Sequence, residues 1–509
     1  MAAHLVKLRT VLVTLFTTET FYQRVEEELA RNFNVEENEA RMRLRVIALP
    51  SNAASPGDMG VSALFDGFEI AYQNLVAERP ITCSATSMQF PSIMSPNAVV
   101  MDVFASKVLT TVRAHSKNKV KVFCWVACSA AAYHQHFGMA SPNKSGAVYA
   151  QIRNQVARTG RSFKEIAREV FFDNVKGDVV VIPGLPPMFD YEEHPQITVL
   201  DQTHMAVFRT GAAEVTDGCD GMLIATPQAF ETTETLASLS RYYGGEVYAI
   251  GPLFATGAEA GTLEKSKSED SDRIFAFMDR VLESRGPHSL IYVTSLFCVH
   301  KPLAHVPHPQ ISLGSNHWPI DTRQIWAFLD VVMERKIPFI LAHASPFASI
   351  PSDADDKVKQ YGLGLLSSWC PQQYVLSHPA VGWSMTHCSF NSVLESLDAG
   401  VPMICWPFVA DQPANALHVV ANLDVGYELL EVRTGPHGLK PAFRTCIAPA
   451  GTLDALKAEA HRVLELAFGS DGMTKRNNAE ALSKKLSQAW DNTDDGLARI
   501  ALGRFLDTI

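Results

Sequence analysis

The feature of this sequence that most limits its possible folds is a repeated alternation of short apolar segments with longer amphipathic ones. Residues 11–16, 42–49 and 97–104 are apolar segments of strand length. Amphipathic segments with helical spacing lie between such runs, for example residues 20–32 and 162–172. Apolar strands that alternate with amphipathic helices are typical of parallel sheets covered by helices on both faces. The sequence therefore predicts an α/β protein with parallel sheets.

The alternation occurs in two series. The first series ends with predicted strands at 220–225 and 246–250, and a small, polar and charged segment follows at 254–272. A second series begins at residue 289 and leads into a long helical region at 479–506. Predicted strands of the second series are 289–293, 339–342, 364–367, 382–385 and 403–406.

Two series in one chain indicate two domains. A chain of 509 residues is also too long for a single hydrophobic core. Because ligands of parallel sheets bind at the carboxyl ends of the strands, the cleft between the domains is the expected site. The predicted boundaries are 1–252 for an N-terminal domain, 253–272 for a linker and 273–486 for a C-terminal domain.

Composition disfavours several classes of protein. A net charge of −10 argues against nucleic acid or an anionic membrane as the main partner. Nine cysteines at irregular spacings favour buried thiols in a reducing compartment over a disulfide framework. No apolar run approaches the roughly 20 residues of a transmembrane helix. Residues 11–16 are too few for the apolar region of a signal peptide and are better explained as a buried strand.

Residues 369–412 contain most of the side chains that suggest a function. Trp369 follows a predicted strand and precedes a proline, so its indole can stack on a flat base or belong to the core. Gln372 can bind a ribose or a base edge, or be an ordinary loop residue. Asp411 and Gln412 precede a helix that begins at Pro413, where Asp411 can cap the helix or accept bonds from sugar hydroxyls.

A second group of polar residues surrounds the start of the predicted helix 391–399. Asn391 and Ser392 lie in its first turn, where free N–H groups can bind a phosphate or be capped by side chains. His387 can add a donor to the same phosphate. Glu395 shares a helix face with Asn391 and Ser392, so it can hold ribose hydroxyls or be a solvated charge.

Together these residues resemble a known signature. Residues 369–412 are similar to the 44-residue C-terminal signature of family 1 UDP-dependent glycosyltransferases, which includes plant and fungal small-molecule glucosyltransferases. The signature opens on Trp, continues with Pro-Gln, carries a His-Cys-Gly-Trp-Asn-Ser run and Glu, and closes on Asp/Glu-Gln. Here Ser389 and Phe390 replace the usual Gly and Trp. Further family landmarks are matched at 181–187, 220–221, 250–252 and 313–315.

The resemblance implies a GT-B fold, in which two Rossmann-like doubly wound domains face each other across a cleft, with a terminal helix (487–509) packed back on the first domain. It assigns uracil stacking to Trp369 and ribose binding to Gln372 and Glu395. The diphosphate would be held by Gly314, Ser315, His387, Asn391 and Ser392, and the sugar by Asp411 and Gln412, with Cys370 also in the donor site. A terminal Gln suggests glucose. The resemblance implies no metal and no cofactor beyond the UDP-sugar co-substrate.

The same resemblance implies a mechanism and an acceptor. Family members invert the anomeric carbon: a His deprotonates the acceptor hydroxyl, and an Asp orients and stabilises that His. Asp102, near the end of an apolar segment, matches this Asp. The resemblance further implies a small lipophilic acceptor that carries a hydroxyl, no transmembrane anchor and a cytoplasmic location.

Two irregularities qualify this interpretation. Residues 1–9 resemble the end of the family's first helix, so we expect the first strand and the catalytic His turn to be missing through truncation. The alternative function is therefore a catalytically impaired UDP-sugar-binding protein or truncated gene product. A nicotinamide-dependent oxidoreductase would fit the architecture but would require a Gly-rich loop after a strand. Residues 294–310 interrupt the family pattern and are either a loop insertion or a retained intron.

Overall fold

The structure is a computed structural model that describes residues 1–50, 61–138, 145–173, 175–197, 202–253, 270–294, 321–343 and 350–509. Its helices are α1 Ala2–Leu8, α2 Glu19–Ala30, α3 Asn38–Met42, α4 Val61–Val76, α5 Ser106–Ser116, α6 Ala130–Tyr133, α7 Ser145–Thr159, α8 Phe163–Arg168, α9 Gln202–Gly218, α10 Thr233–Tyr243, α11 Ser271–Arg285, α12 Arg323–Glu334, α13 Ser352–Tyr361, α14 Gln372–Leu376, α15 Phe390–Asp398, α16 Gln412–Leu417, α17 Gly435–Gly438, α18 Leu453–Ala467, α19 Ser470–Ser487 and α20 Leu497–Leu506. Its strands are β1 Val13–Thr18, β2 Leu44–Leu49, β3 Ile81–Thr82, β4 Gln89–Phe90, β5 Ala98–Asp102, β6 Lys121–Val126, β7 Val179–Val180, β8 Met188–Phe189, β9 Gly221–Ile224, β10 Val247–Ala249, β11 Leu290–Val293, β12 Phe339–Ala342, β13 Gly364–Ser367, β14 Val381–Thr386, β15 Met403–Cys405 and β16 Gly426–Glu428.

The second half of the chain builds one parallel sheet. Six described strands pair in the order β13-β12-β11-β14-β15-β16, and every pair is parallel. The central strand β11 is almost completely buried along its length, from Leu290 to Val293. Burial on both faces explains why these strands are continuous apolar runs in the sequence. The predicted bounds of β12 and β13 agree with the structure.

The first half contains a four-stranded parallel sheet of order β10-β9-β6-β5 and a separate parallel pair, β1-β2. The helix α20 packs on this half, where Leu502 and Phe505 share a buried cluster with Phe123 and Tyr248. The predicted helical region at 479–506 contains two helices, the end of α19 and all of α20. The chain leaves the helix after α19 and re-enters it at α20, because the intervening residues are rich in Asp, Asn and Gly, which favour turns over helix.

The two halves meet along an extensive polar seam. The carboxylate of Glu192 lies 3.5 Å from the guanidinium of Arg433 and accepts a hydrogen bond of 2.8 Å from the backbone N–H of Phe443. Gln196 donates to the carbonyl of Val432 at 2.9 Å. These contacts hold the two halves of the molecule against each other.

Two further observations bear on the sequence-based expectations. The eight described cysteines are free thiols. Within the described ranges, no helix has both the length and the apolar character needed to cross a bilayer. Most of the predicted linker lies outside the described residues, so the domain boundaries stay predictions.

Candidate active site

The site is built around the start of α15. Strand β14 ends at Thr386, and a three-residue turn leads to Phe390, the first residue of the helix. In this turn Cys388 has a φ of +66°, in the left-handed region that only a few residue types adopt easily. The side-chain amide of Asn415 donates to the Cys388 carbonyl at 3.0 Å and so fixes the turn. The strand therefore leads directly into the N-terminus of α15, where N–H groups beyond that of Phe390 can bind an anion.

The predicted phosphate-binding side chains lie at this N-terminus. Asn391 is exposed and Ser392 is buried, with its hydroxyl 3.1 Å from the hydroxyl of Ser389. His387 is 1% exposed, and burial lowers the pKa of its imidazole to about 3. Because that pKa is below physiological pH, the imidazole is neutral in the ligand-free protein, and a neutral ring can still donate one N–H. The loop that contains Gly314 and Ser315 lies outside the described residues.

The two predicted ribose ligands contact each other. The amide of Gln372, at the start of α14, donates to the Glu395 carboxylate at 2.5 Å. Gln373 donates to the other carboxylate oxygen at 3.3 Å. The sequence reasoning missed Gln373, which has no signal beyond its position next to Gln372. Two amides thus fix the Glu395 carboxylate one turn along α15 from the proposed phosphate-binding N-terminus. At this position the carboxylate can accept hydrogen bonds from vicinal hydroxyls.

Trp369 and Cys370 follow β13. The Trp369 side chain is 37% exposed, so the alternative of a core tryptophan does not apply and one ring face can be covered by a ligand. Cys370 is 5% exposed and packs in an apolar cluster, and burial raises the pKa of its thiol to about 12. Its side chain is therefore an uncharged part of the core, and only its backbone can serve a ligand.

Asp411 has a structural partner that its position in the sequence does not reveal. Its carboxylate accepts from the backbone N–H of Phe390 at 3.2 Å and from the Asn415 side chain at 2.8 Å. It thus caps α15, not α16, the helix that follows it in the sequence. Burial raises the pKa of Asp411 to about 6. The neighbouring Gln412 uses its amide oxygen to accept from the backbone N–H of Phe408 and Val409, at 2.9 and 3.1 Å.

Asn415 also connects the two halves of the molecule. It lies four residues after Asp411, on the same face of α16. Its amide oxygen accepts from the hydroxyl of Ser129, which caps α6 in the first half, at 2.8 Å. The contact between Asp411 and Asn415 could have been predicted from their i,i+4 spacing. The bond from Ser129 to Asn415 spans 286 positions, and no sequence pattern predicts it.

Asp102 lies at the carboxyl end of β5, on the first-half side of the cleft. Its carboxylate accepts from the backbone N–H of Phe104 at 2.9 Å, while desolvation raises its pKa. Cys128 follows the neighbouring strand β6, and burial raises the pKa of its thiol. The charges of Asp411, Glu231 and Asp102 raise this pKa further. Asp102 and Asp411 are therefore both within electrostatic range of Cys128.

The arrangement of two parallel α/β sheets around this cleft is the GT-B architecture, and solved structures show the same fold. A structure of a UGT transferase from Siraitia grosvenorii in complex with UDP matches with a TM-score of 0.66 at 19% identity, covering 100% of this chain and 95% of that one. Medicago truncatula UGT71G1 complexed with UDP-glucose matches with a TM-score of 0.65 at 16% identity, covering 100% and 94%.

Sequence comparison then identifies the family. A family model described as UDP-glucoronosyl and UDP-glucosyl transferase matches residues 348–449, which include all of the signature segment. The UDP-glycosyltransferase eriJ of Hericium erinaceus is 30% identical over 416 residues, which cover 79% of this chain and 77% of the relative. The chain belongs to the UDP-glycosyltransferase family.

Proposed function

We propose that this protein transfers a hexose, glucose by preference, from a UDP-sugar to a hydroxyl group of a small lipophilic acceptor, with inversion of the anomeric carbon. The second half would bind the donor and the first half the acceptor. One observation carries the proposal: Asp411, the proposed sugar ligand, caps the same helix N-terminus that is proposed to hold the diphosphate, through the 3.2 Å bond to Phe390. Phosphate and sugar subsites on one rigid unit suit a nucleotide sugar.

The remaining proposed contacts extend this unit along the donor. Trp369 would stack on uracil, and Gln372 and Glu395, joined at 2.5 Å, would hold the ribose. His387, Asn391 and Ser392 would hold the diphosphate together with Gly314 and Ser315, and Gln412 would assist Asp411 at the sugar. The backbone of Cys370 would support the turn that presents Trp369.

In the proposed reaction the acceptor oxygen attacks the anomeric carbon, and the bond from that carbon to the β-phosphate oxygen breaks. UDP leaves with the electron pair, and the hydroxyl proton passes to a general base, which is a His in the family and which Asp102 would orient and stabilise. Helix N–H groups stabilise the charge that develops on the leaving diphosphate. The donor needs no metal in this scheme, so we expect turnover to persist in excess chelator.

The test is turnover by the full purified chain. UDP-glucose is incubated with a panel of phenols and sterols, and UDP release and glycoside formation are measured together, with the anomeric configuration read by NMR. The proposal expects UDP and a β-glucoside in equal amounts. Binding of UDP-glucose without its consumption would refute transfer and favour the alternative of a UDP-sugar-binding protein.

A further inference from the structure

Two pairs of cysteines among the described residues have thiols in contact with each other. Cys124, on β6, is buried, and its thiol is hydrogen-bonded to that of Cys219, which directly follows α9. Cys388 and Cys405, next to the start of α15, form the second pair, and both are fully buried. Cys219 differs from these three because it is partly exposed. An oxidant in solution can therefore reach one thiol of the first pair, whereas the second pair is enclosed.

The fold fixes the backbone of Cys219 beside β6. The backbone N–H of Cys219 binds the carbonyl of Val215 at 3.0 Å, which keeps this residue on the last turn of α9. The next residue, Asp220, donates its backbone N–H to the carbonyl of Val122, on β6, at 2.6 Å. The Asp220 carboxylate also accepts from the backbone N–H of Val122 at 2.7 Å. Because Cys219 is held from both sides, its contact with Cys124 belongs to the native fold.

The surroundings of Cys219 make its thiol the more reactive one. The Tyr243 hydroxyl lies 3.2 Å from the Sγ of Cys219. The bond from the Cys124 thiol, with those from the Tyr243 hydroxyl and the backbone N–H of Gly221, lowers the pKa of Cys219 to about 7, although burial opposes this. The same thiol–thiol bond and burial raise the pKa of Cys124. Since the thiolate is the nucleophile in thiol oxidation, Cys219 reacts first and Cys124 is the second thiol.

We propose that Cys124 and Cys219 form an oxidisable dithiol, which hydrogen peroxide converts to a disulfide and thiol reductants restore. The Cys219 sulfur attacks one peroxide oxygen, the O–O bond breaks, and Cys219 becomes a sulfenic acid as one water leaves. The Cys124 sulfur then attacks the Cys219 sulfur. The S–O bond breaks, and the departing hydroxide takes the Cys124 proton to form a second water. The two thiols lose two electrons, and one peroxide is reduced to two waters.

The disulfide would stabilise the first half of the molecule. Its two ends are 95 positions apart, since 219 minus 124 is 95. A bond that closes so long a loop restricts the unfolded chain and so favours the folded state. Residues 369–412 contribute no atom to this bond, so we expect equal affinity for UDP before and after oxidation. The inference is independent of the proposed function, because it requires no transfer of sugar.

The test is disulfide mapping on the full folded chain. Reduced protein, freed of reductant, is treated with hydrogen peroxide, its remaining thiols are alkylated in urea, and its peptides are identified by mass spectrometry. We expect a linked Cys124–Cys219 peptide that dithiothreitol removes, and we expect Cys388 and Cys405 to be recovered alkylated. Cys219→Ser should abolish the link. Cys446→Ser, which removes an exposed cysteine, is the matched control and should leave the link unchanged.

A second variant and a second measurement separate the chemistry from a general effect on folding. In Cys124→Ser, Cys219 should accumulate as a sulfenic acid that dimedone traps, because the second thiol is missing. Oxidation should raise the melting temperature of the wild type by roughly 5 °C and leave that of Cys219→Ser unchanged. Absence of the linked peptide while Cys446 is oxidised, or a melting temperature that falls on oxidation, would overturn the proposal.

Discussion

The role of Asp411 gives a sharp prediction because its two bonds within the protein and its proposed bonds to the sugar can be separated. Asp411→Asn keeps the size of the side chain and one oxygen that can still cap α15, since Asn caps helices about as well as Asp. The variant loses the negative charge that the sugar hydroxyls would face. A hydrogen bond to a charged group contributes about 1.5–3 kcal/mol, so affinity for UDP-glucose should fall roughly 10- to 150-fold.

Isothermal titration of UDP-glucose and of UDP, each into wild type and variant, measures the effect. UDP lacks the sugar, so its dissociation constant should change by less than about threefold, within the usual scatter of such effects. The exposed Asp454, in the first turn of α18, provides the matched control Asp454→Asn, which should change neither constant. Equal weakening of UDP and UDP-glucose would refute the separation of sugar and phosphate subsites.

The pH dependence of the same ratio follows from the raised pKa of Asp411, about 6 against an ordinary value of 3.8. At pH 7 the carboxylate is charged, and as the pH falls through 6 it takes up a proton and loses its charge. The preference of the wild type for UDP-glucose over UDP should therefore shrink between pH 7 and pH 5, whereas Asp411→Asn should show a flat profile. A wild-type ratio that is constant over this range would contradict the assignment.

Three further predictions concern other residues of the site. Trp369→Ala should weaken UDP binding by about 1–3 kcal/mol, because stacking on the base is lost. Trp369→Phe should retain most of the binding free energy, since a phenyl ring can still stack. Equal losses in the two variants, measured by calorimetry, would argue against stacking. Glu395→Gln should weaken UDP roughly tenfold but leave 2′,3′-dideoxy-UDP unchanged, because only UDP has the hydroxyls that the carboxylate would accept; parallel losses would place Glu395 elsewhere. Burial raises the pKa of Glu231 to about 7, so its carboxyl group binds a proton more tightly in the folded state than in the unfolded state. The free energy of unfolding of the wild type should therefore fall by about 2–3 kcal/mol as the pH rises from 4.5 to 8. Urea unfolding should show that Glu231→Gln lacks this fall, and an identical pH profile would contradict the assignment.

Strands and their places in the chain could be predicted from the sequence because a strand buried on both faces must be apolar throughout. The bounds of β12 and β13 were predicted from this pattern alone. The ends of helices depend on single capping residues and on turns, so the break between α19 and α20 was missed. Small two-residue pairs such as β7 and β8 carry too little pattern to be predicted.

The candidate site could also be predicted only in part from the sequence. Local spacing placed Asn391, Ser392 and Glu395 on one helix, and the structure gives α15 at that place. Contacts between distant segments could not be read from the sequence, because no periodicity links residues that are far apart in the chain. The cap that Asp411 provides for α15 and the bond from Ser129 to Asn415 are of this kind.

The central claim is that residues 369–412 form a site for a UDP-sugar. The most direct test is donor selectivity, measured by calorimetry on the full chain with UDP-glucose, ADP-glucose and NADH under identical conditions. The proposed site has Trp369 stacked on uracil and Asp411 and Gln412 on the hexose. It therefore predicts measurable binding of UDP-glucose, much weaker binding of ADP-glucose, whose base is the larger adenine, and no binding of NADH, which has no hexose. Binding of NADH or ADP-glucose equal to that of UDP-glucose, or no binding of UDP-glucose, would contradict the account.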